Sequence, residues 1–442
     1  MSDAPDPPAK PRPGRRLALW RARLAGLAAT WRRALFDDME RLDDRAPGQI
    51  AEAKRLAEDA ALLRGGIAKV GQLRAHFDES APDARAKLAM LWDRVPGESP
   101  AQIRRVFIEE QGHPPSELFA TWEEQPFAAA SLGEVHAALD AHGQRLAVKV
   151  QYPDVAEALA DDLRSVGLLR KIVGAELGGD LDRGALDVLR QSLLSELDYR
   201  KEAESLVRFA ALWRDDPQIV LPRVVQERSS RRVLAMEHLD GRPLPALVDD
   251  PDELHRSAVA QTILRFAIGS PLLGGCFNAD PHPGNYLVLD AAAGRVAVLD
   301  FGCVVAVEDK IRDADRKLWY ALVVRDGEAL RHAAFASGIV EHVRAFESEA
   351  WREWEALFAA PFLHRGPFLL EPGRIRSLLD VMRRLLGART IGLPAPALML
   401  WRQRLGVLSV LATLRPRFDF RRTVAELVDD HHHPTPLADR YR

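Results

Sequence analysis

The chain carries only two cysteines, Cys276 and Cys303, in 442 residues. Two thiols cannot build a disulfide framework, and no secretory signal is evident, so a reducing cytosolic setting is expected. Long apolar runs are lacking too. The best candidate, residues 393–414, is broken by Arg402 and Arg404, so no bilayer-spanning segment is expected. Neither sign of charge dominates. Lys and Arg total 61 against 64 Asp and Glu, a formal −3 that gives no case for nucleic-acid binding. The length is too great for one compact core and suits two or three packed units.

What the sequence does hold is a dense motif, Phe277-Asn278-Ala279-Asp280-Pro281-His282-Pro283-Gly284-Asn285, followed by Val298-Leu299-Asp300-Phe301-Gly302. Phosphoryl transfer needs bound metal, a placed nucleophile and charge compensation more than covalent help from protein. An Asp, an Asn five residues on and a second Asp opening Asp-Phe-Gly supply those parts in the kinase arrangement. Asp280 would accept or orient the proton of an acceptor hydroxyl. Asn285 and Asp300 would hold Mg²⁺ against the phosphates of ATP. Residues 286–289 and 295–299 are apolar runs around Ala-Gly and read as a hairpin joining the two motifs. Either motif alone has a plain reading as a turn or a chance tripeptide; the pair at this spacing argues against both.

Upstream, Pro126-Phe127-Ala128-Ala129-Ala130-Ser131 leads through Asp140–Gly143 to Leu146-Ala147-Val148-Lys149-Val150. Strand, turn and strand with lysine in Ala-Val-Lys is the layout of a nucleotide lobe, its lysine gripping the α- and β-phosphates. Ala128, Ala129, Ala130 and Ser131 stand where a phosphate-covering loop normally has glycines, so a stiffer loop is expected. A lysine in an apolar strand needs an acidic partner. A helix expected over residues 185–213 offers Glu196, Asp198 and Glu202. At about 100° per residue, Asp198 and Glu202 share a face and Glu196 lies about 120° from Glu202, so two acidic positions can serve two lysines. The plainer alternative is a solvated acidic face. Residues 233–241 read as a buried strand entering a linker, with Glu237 and His238 where an adenine-binding hinge belongs. Helical character returns at residue 309 with no Ala-Pro-Glu and no long activation segment, which favours a small-molecule acceptor or water over a peptide.

The ends are less specific. Proline-rich residues 1–14 are expected to be disordered. Leu17, Trp20, Leu24, Leu27, Trp31 and Leu35 form an apolar stripe accompanied by six arginines. Such a helix suits an anionic membrane surface, or equally a packed helix with a solvated basic side. Lys69 and Gln72 share a helix face, weak evidence alone. His431-His432-His433 is a weak metal signal, since free imidazoles near a terminus bind metals incidentally.

Taken together, Lys69-Val-Gly-Gln72, Pro126–Ser131, Ala147-Val-Lys149, Glu196-Leu-Asp198, Ala279–Asn285 and Asp300-Phe-Gly302 resemble the AarF/UbiB (ADCK-like) family of atypical kinase-like proteins. The resemblance implies an α+β, bilobal kinase-like fold with a small β-rich nucleotide lobe, a larger helical lobe and an N-terminal helical extension. Domains are expected as a tail over 1–14, a basic helix over 15–40, the extension over 41–120, an N-lobe over 121–238, a C-lobe over 239–430 and a tail over 431–442. It implies ATP and Mg²⁺ as cofactors and Asp280, Lys149 and Glu202 as catalytic. Ala128 to Ser131, Lys149, Glu237 and His238 would bind ATP, and Asn285 and Asp300 the metal. Lys69, Gln72, Glu196 and Asp198 would be regulatory, Lys69 pairing with Glu196 and Lys149 with Glu202.

The family usually has His where Asn278 stands and often Gln where Glu134 stands; neither departure removes a metal ligand or proton acceptor. Members are associated with ubiquinone production and with lipid-responsive ATPase activity. The expected function is therefore an atypical kinase or ATPase supporting quinone or other lipid metabolism at the inner face of a membrane, with quinone-biosynthesis proteins as candidate partners. Two alternatives stand beside it: a nucleotide-gated scaffold without turnover, and a small-molecule phosphotransferase.

Overall fold

The computed structural model describes residues 99–130, 132–153, 155–156, 194–336, 340, 343–387 and 395–428. The basic helix over 15–36, Lys69, Gln72, Ser131 and His431 to His433 lie outside the described residues. All described residues fall within one unit, Ala60–Arg442.

Helix α1 (Pro100–Gln111) starts at a capping box, Ser99 bonding Gln102 reciprocally, and stops at Gly112 in the left-handed region. A short helix, α2 (Pro115–Leu118), leads into the β-rich lobe. Its sheet contains β1 (Thr121–Trp122), β2 (Ala128–Ala130), β3 (Gly133–Leu139), β4 (Arg145–Gln151) and, beyond helix α3 (Tyr199–Leu212) and β5 (Ile219–Val220), β6 (Val233–Glu237). The order is β1-β3-β4-β6 with β2 also paired to β3, all antiparallel. The alanine-rich stretch is therefore strand rather than loop: Ala128 to Ala130 pair with Gly133 to Val135. Alanine fits a paired edge, where a Cβ has room and φ is negative.

Strand alternation gives the sheet two occupied faces. Val148, Val150, Val233 and Ala235 face a core closed by Ile103, Val106 and Phe107 of α1. Val135, Ala147, Leu234 and Met236 join the larger core with Tyr199, Leu206 and Phe209 of α3. Lys149 thus points at α3. Gly133 is demanded by the close approach of β3 and β4: a Cβ there would lie 2.2 Å from the Val150 carbonyl oxygen. Gly133→Ala should force the strands apart and cost about 1–3 kcal/mol, read as a melting-temperature fall of several degrees by scanning fluorimetry. An unchanged melting temperature would contradict that packing.

In the C-lobe, β7 (Arg242–Pro243) precedes α4 (Glu253–Gly274), whose start is capped by Asp252. The helix is apolar nearly all round and correspondingly buried. Then come β8 (Cys276–Asn278), β9 (Tyr286–Asp290), β10 (Arg295–Val298) and β11 (Val304–Ala306). The expected hairpin is β9–β10, closed by Gly294 at φ 63°. Strand β5 pairs in parallel with β10, so chain leaving α3 is built into the C-lobe sheet. The same junction holds the buried Asp216–Arg265 ion pair and a Trp213 to Ser270 hydrogen bond.

Helices α5 (Asp309–Val324), α6 (Gly327–Ala336), α7 (Glu349–Leu363), α8 (Pro372–Gly387), α9 (Ala395–Thr413) and α10 (Phe420–Val428) complete the lobe, with β12 (Phe368–Leu369) paired to β13 (Arg417–Phe418). Strand β12 falls between Gly366-Pro367 and Pro372-Gly373, two of the breaks expected in an otherwise helical region. Arg404, which breaks the long apolar run of α9, is buried, ion-paired to Asp315 of α5 and flanked by the Trp319 and Trp401 rings at 5.0 and 5.1 Å. Among the described residues, no helix is long and apolar enough to cross a membrane.

Candidate active site

Segments from both lobes converge on one cleft. Lys149, on β4 opposite Val135 and Leu234, is 5% exposed. Its ammonium donates to Glu202 Oε1 at 2.6 Å and to Asp300 Oδ2 at 3.2 Å, and lies 5.5 Å from the centroid of the Tyr199 ring. Burial opposes its charge, but the Asp300 and Glu202 carboxylates outweigh that and hold its pKa above the ordinary lysine value. The Glu202 carboxyl is pushed up to about 7 by burial, its contact with Lys149 only partly offsetting this. Glu202 also accepts from the Phe301 backbone N–H at 3.4 Å, so it reaches both the lysine and the Asp-Phe-Gly backbone.

The structure corrects the helix geometry expected for the acidic motif. Glu196 and Leu197 lie in a turn, and Asp198 is the extended N-cap of α3, accepting from the Arg200 N–H at 3.2 Å and gripping the Arg200 guanidinium. Asp198 and Glu202 therefore do not share a face of one continuous helix. Asp is among the best N-cap residues, and the cap stops the helix from running back through Glu196. Glu196 nevertheless reaches the site by the turn. It is buried, and its Cγ would lie 3.6 Å from a Cβ built on Gly302, with Glu202 Oε2 at 3.8 Å from the same point. The partner expected for Glu196, Lys69, is outside the described residues.

Below the cleft, β8 and β11 pair antiparallel, Asn278 opposite Val304, and the Ala279 N–H donates to the Cys303 carbonyl at 2.8 Å. This ladder brings Asp280 beside Asp300. The turn after Asp280 is closed by His282, whose Nδ1 accepts from the Gly284 N–H at 3.0 Å, and by Asn285, whose Nδ2 donates to the Asp280 carbonyl at 3.1 Å. The Asn285 carbonyl in turn accepts from the Leu299 N–H at 2.9 Å, locking the turn to the end of the hairpin. Asp300 Oδ1 accepts from the Gly302 N–H at 2.9 Å. An Asn amide oxygen and a partly exposed carboxylate are hard oxygen donors of the kind Mg²⁺ takes, with phosphate and water completing its shell. Among the described residues, no group of three or more His, Cys, Asp or Glu forms a protein-only metal cage.

At the mouth, the hinge follows β6. The His238 N–H donates to the Arg145 carbonyl at 3.0 Å, the Glu237 N–H donates to the Arg223 carbonyl at 2.8 Å, and Arg145 clasps Asp240 with contacts of 2.6 and 2.7 Å. Phe127, half exposed, sets its ring 5.2 Å from that of His238, so the stretch entering β2 touches the hinge across the mouth. Neither Phe127 nor Asn278 carries a functional reading in the sequence. For Asn278 a signal existed: Asn two residues before Asp280 is placed to form an Asx turn.

Comparison with known proteins agrees with this architecture. The ABC1 atypical kinase-like domain model matches residues 90–334. The chain is 30% identical over 383 residues to "Atypical kinase COQ8B, mitochondrial" of Danio rerio, covering 84% of this chain and 60% of that protein. It is 29% identical to "Uncharacterized protein Rv0647c" of Mycobacterium tuberculosis, covering 86% of this chain and 78% of the other. Among solved structures, the complex of Rv3197 with erythromycin from Mycobacterium tuberculosis superposes with a TM-score of 0.63 at 25% identity, over 87% of this chain and 98% of that one. The chain thus spans less than two thirds of the length of the COQ8B relative. With more than half of its residues inside the matched domain, the chain belongs to the AarF/UbiB family of ABC1 atypical kinase-like proteins.

Proposed function

We propose that this chain is an ATP- and Mg²⁺-using atypical kinase or ATPase, supporting isoprenoid-quinone or other lipid metabolism at a membrane surface. The observation that carries the reading is the Lys149–Glu202–Asp300 network joined through β8 and β11 to the Asp280–Asn285 turn. In this reading Lys149 meets the α- and β-phosphates, and Asp300 with Asn285 holds Mg²⁺, which would supply charge neutralisation at the transferring phosphoryl group. Asp280 orients the attacking hydroxyl or water and takes its proton. Glu202 keeps the lysine aimed into the cleft, and the hinge at Glu237 and His238 borders the nucleobase.

The acceptor is taken to be a small molecule or water. Helix α5 begins at Asp309, seven residues after Gly302, which leaves little chain for a peptide-binding platform. The similarity to an atypical kinase of mitochondria supports the kinase part of the reading, and the resemblance to the AarF/UbiB family makes quinone metabolism the first place to look. The solved relative complexed with erythromycin supports a small organic ligand for this fold.

The test is phosphate release from ATP with Mg²⁺, with and without anionic liposomes, comparing wild type with Asp300→Asn. Release by wild type that liposomes stimulate and Asp300→Asn abolishes is the expected result. Equal release by both proteins would sink the assignment. Tight nucleotide binding without any release would move the reading to the nucleotide-gated scaffold.

A further inference from the structure

Asn278 occupies a place the phosphoryl-transfer chemistry does not use directly. It ends β8, it is 6% exposed, and its carboxamide spans the two halves of the site. Its Nδ2 donates to the Asp300 carbonyl at 2.6 Å, while its Oδ1 accepts from the Asp280 N–H at 3.0 Å. Both partners are backbone groups of fixed polarity, one acceptor and one donor. They admit one orientation of the amide, the one observed.

The two contacts do different things. The bond to the Asp280 N–H closes an Asx turn, which sets the direction of the chain carrying the Asp280 side chain. The bond to the Asp300 carbonyl fixes the peptide plane from which the Asp300 side chain rises toward Lys149. The β8–β11 ladder ends at Asn278 opposite Val304, so beyond it the register depends on the Ala279 to Cys303 bond and on this side chain. A group that donates to one peptide and accepts from the other keeps both catalytic carboxylates in a single mutual geometry.

We propose that Asn278 is a positioning residue for phosphoryl transfer, coupling the Asp280 turn to the Asp300 peptide through its carboxamide. The inference rests on the phosphoryl-transfer reading for its catalytic part. A carboxamide presents its donor and acceptor at every pH. An imidazole does so only while neutral, since protonation turns its acceptor nitrogen into a second donor facing the Asp280 N–H. A carboxylate has no donor for the Asp300 carbonyl.

The experiment compares wild type with Asn278→Leu, Asn278→Asp and Asn278→His, reading kcat and KM for ATP together with backbone hydrogen exchange. Asn278→Leu and Asn278→Asp should lower kcat about tenfold to a hundredfold, because reacting groups are displaced. KM for ATP should stay within about threefold, since Lys149 and the hinge are untouched. Asn278→His should retain part of the activity, since a neutral imidazole offers one donor and one acceptor.

In Asn278→Leu, exchange should accelerate together in the peptides covering 278–286 and 299–303. Wild-type kcat values in all three variants, or exchange faster in only one of the two peptides, would overturn the proposal. A wild-type protein with no turnover would instead refute the phosphoryl-transfer reading. The exchange measurement then decides the coupling alone: joint acceleration supports the bridge and its absence removes it.

Discussion

Asp280→Asn should lower ATP turnover by about 10²–10⁴-fold while nucleotide affinity stays within a few-fold of wild type. The substitution keeps size and shape and leaves in place both backbone contacts that hold this residue, its N–H to Asn278 and its carbonyl to Asn285. What changes is the basicity of one side chain, so an effect on turnover reports proton acceptance or nucleophile orientation rather than unfolding. Phosphate release under saturating ATP, with fluorescent-nucleotide binding alongside, separates the two quantities. Turnover within threefold of wild type would remove Asp280 from the chemistry and with it the kinase-type reading of the motif.

Lys149→Met carries the largest expected effect on stability. Lys149 is the cation between Glu202 and Asp300, and removing it leaves two carboxylates facing one another in a buried site. Breaking a buried ion pair from one side costs about 3–5 kcal/mol, for a melting-temperature loss on the order of 10 °C. The loss should depend on pH, and its sign follows from Glu202. In the folded protein its pKa is raised to about 7 from an ordinary 4.5, so the folded state holds a proton that the unfolded chain releases. That contribution is complete below about pH 4.5 and vanishes as the pH rises through about 7.

Without Lys149 the carboxyl is pushed higher still. The variant should therefore be most destabilised at about pH 8, where Glu202 must stay charged beside Asp300 or bind a proton against the gradient. It should recover toward about pH 5.5, where Glu202 is neutral. Melting curves of both proteins across this range check the prediction; a deficit that is flat with pH, or larger in acid, would contradict the Glu202 assignment. Turnover should be lost at every pH, since methionine cannot meet a phosphate.

These two residues were readable in sequence because their signals are local and chemically unusual. A lysine inside Ala-Val-Lys-Val has no reason to be in an apolar strand without a buried partner. Asp280, Asn285 and Asp300 sit at a fixed spacing around a hairpin, and β9 and β10 form where the alternating apolar runs and Ala-Gly place them. Helix α5 likewise begins at Asp309, where helical character resumes in sequence.

The acidic motif is less legible in sequence. Periodicity treats residues 196–202 as one helix, but Asp198 finds a better use capping α3, a local competition that an angle per residue cannot register. The alanine-rich stretch was expected as a loop because glycine is absent where glycine usually lies, yet alanine pairs readily, and β2 continues to Ala130.

By itself, the sequence carried the motifs whose resemblance implies the kinase-like α+β fold, together with the β9–β10 hairpin and the start of α5, because spacing and strand or helix period are properties of neighbouring residues. Only the tertiary structure decided that Lys149 serves two carboxylates at once, since Glu202 and Asp300 lie 53 and 151 residues from it in the chain. It also gave Asn278 its bond to the Asp300 carbonyl, 22 residues away, and Arg404 its partner Asp315. Such contacts join groups that chain separation does not relate. Burial gives them their force: a polar group removed from water must find its partner, and the packed fold alone fixes which one is within reach.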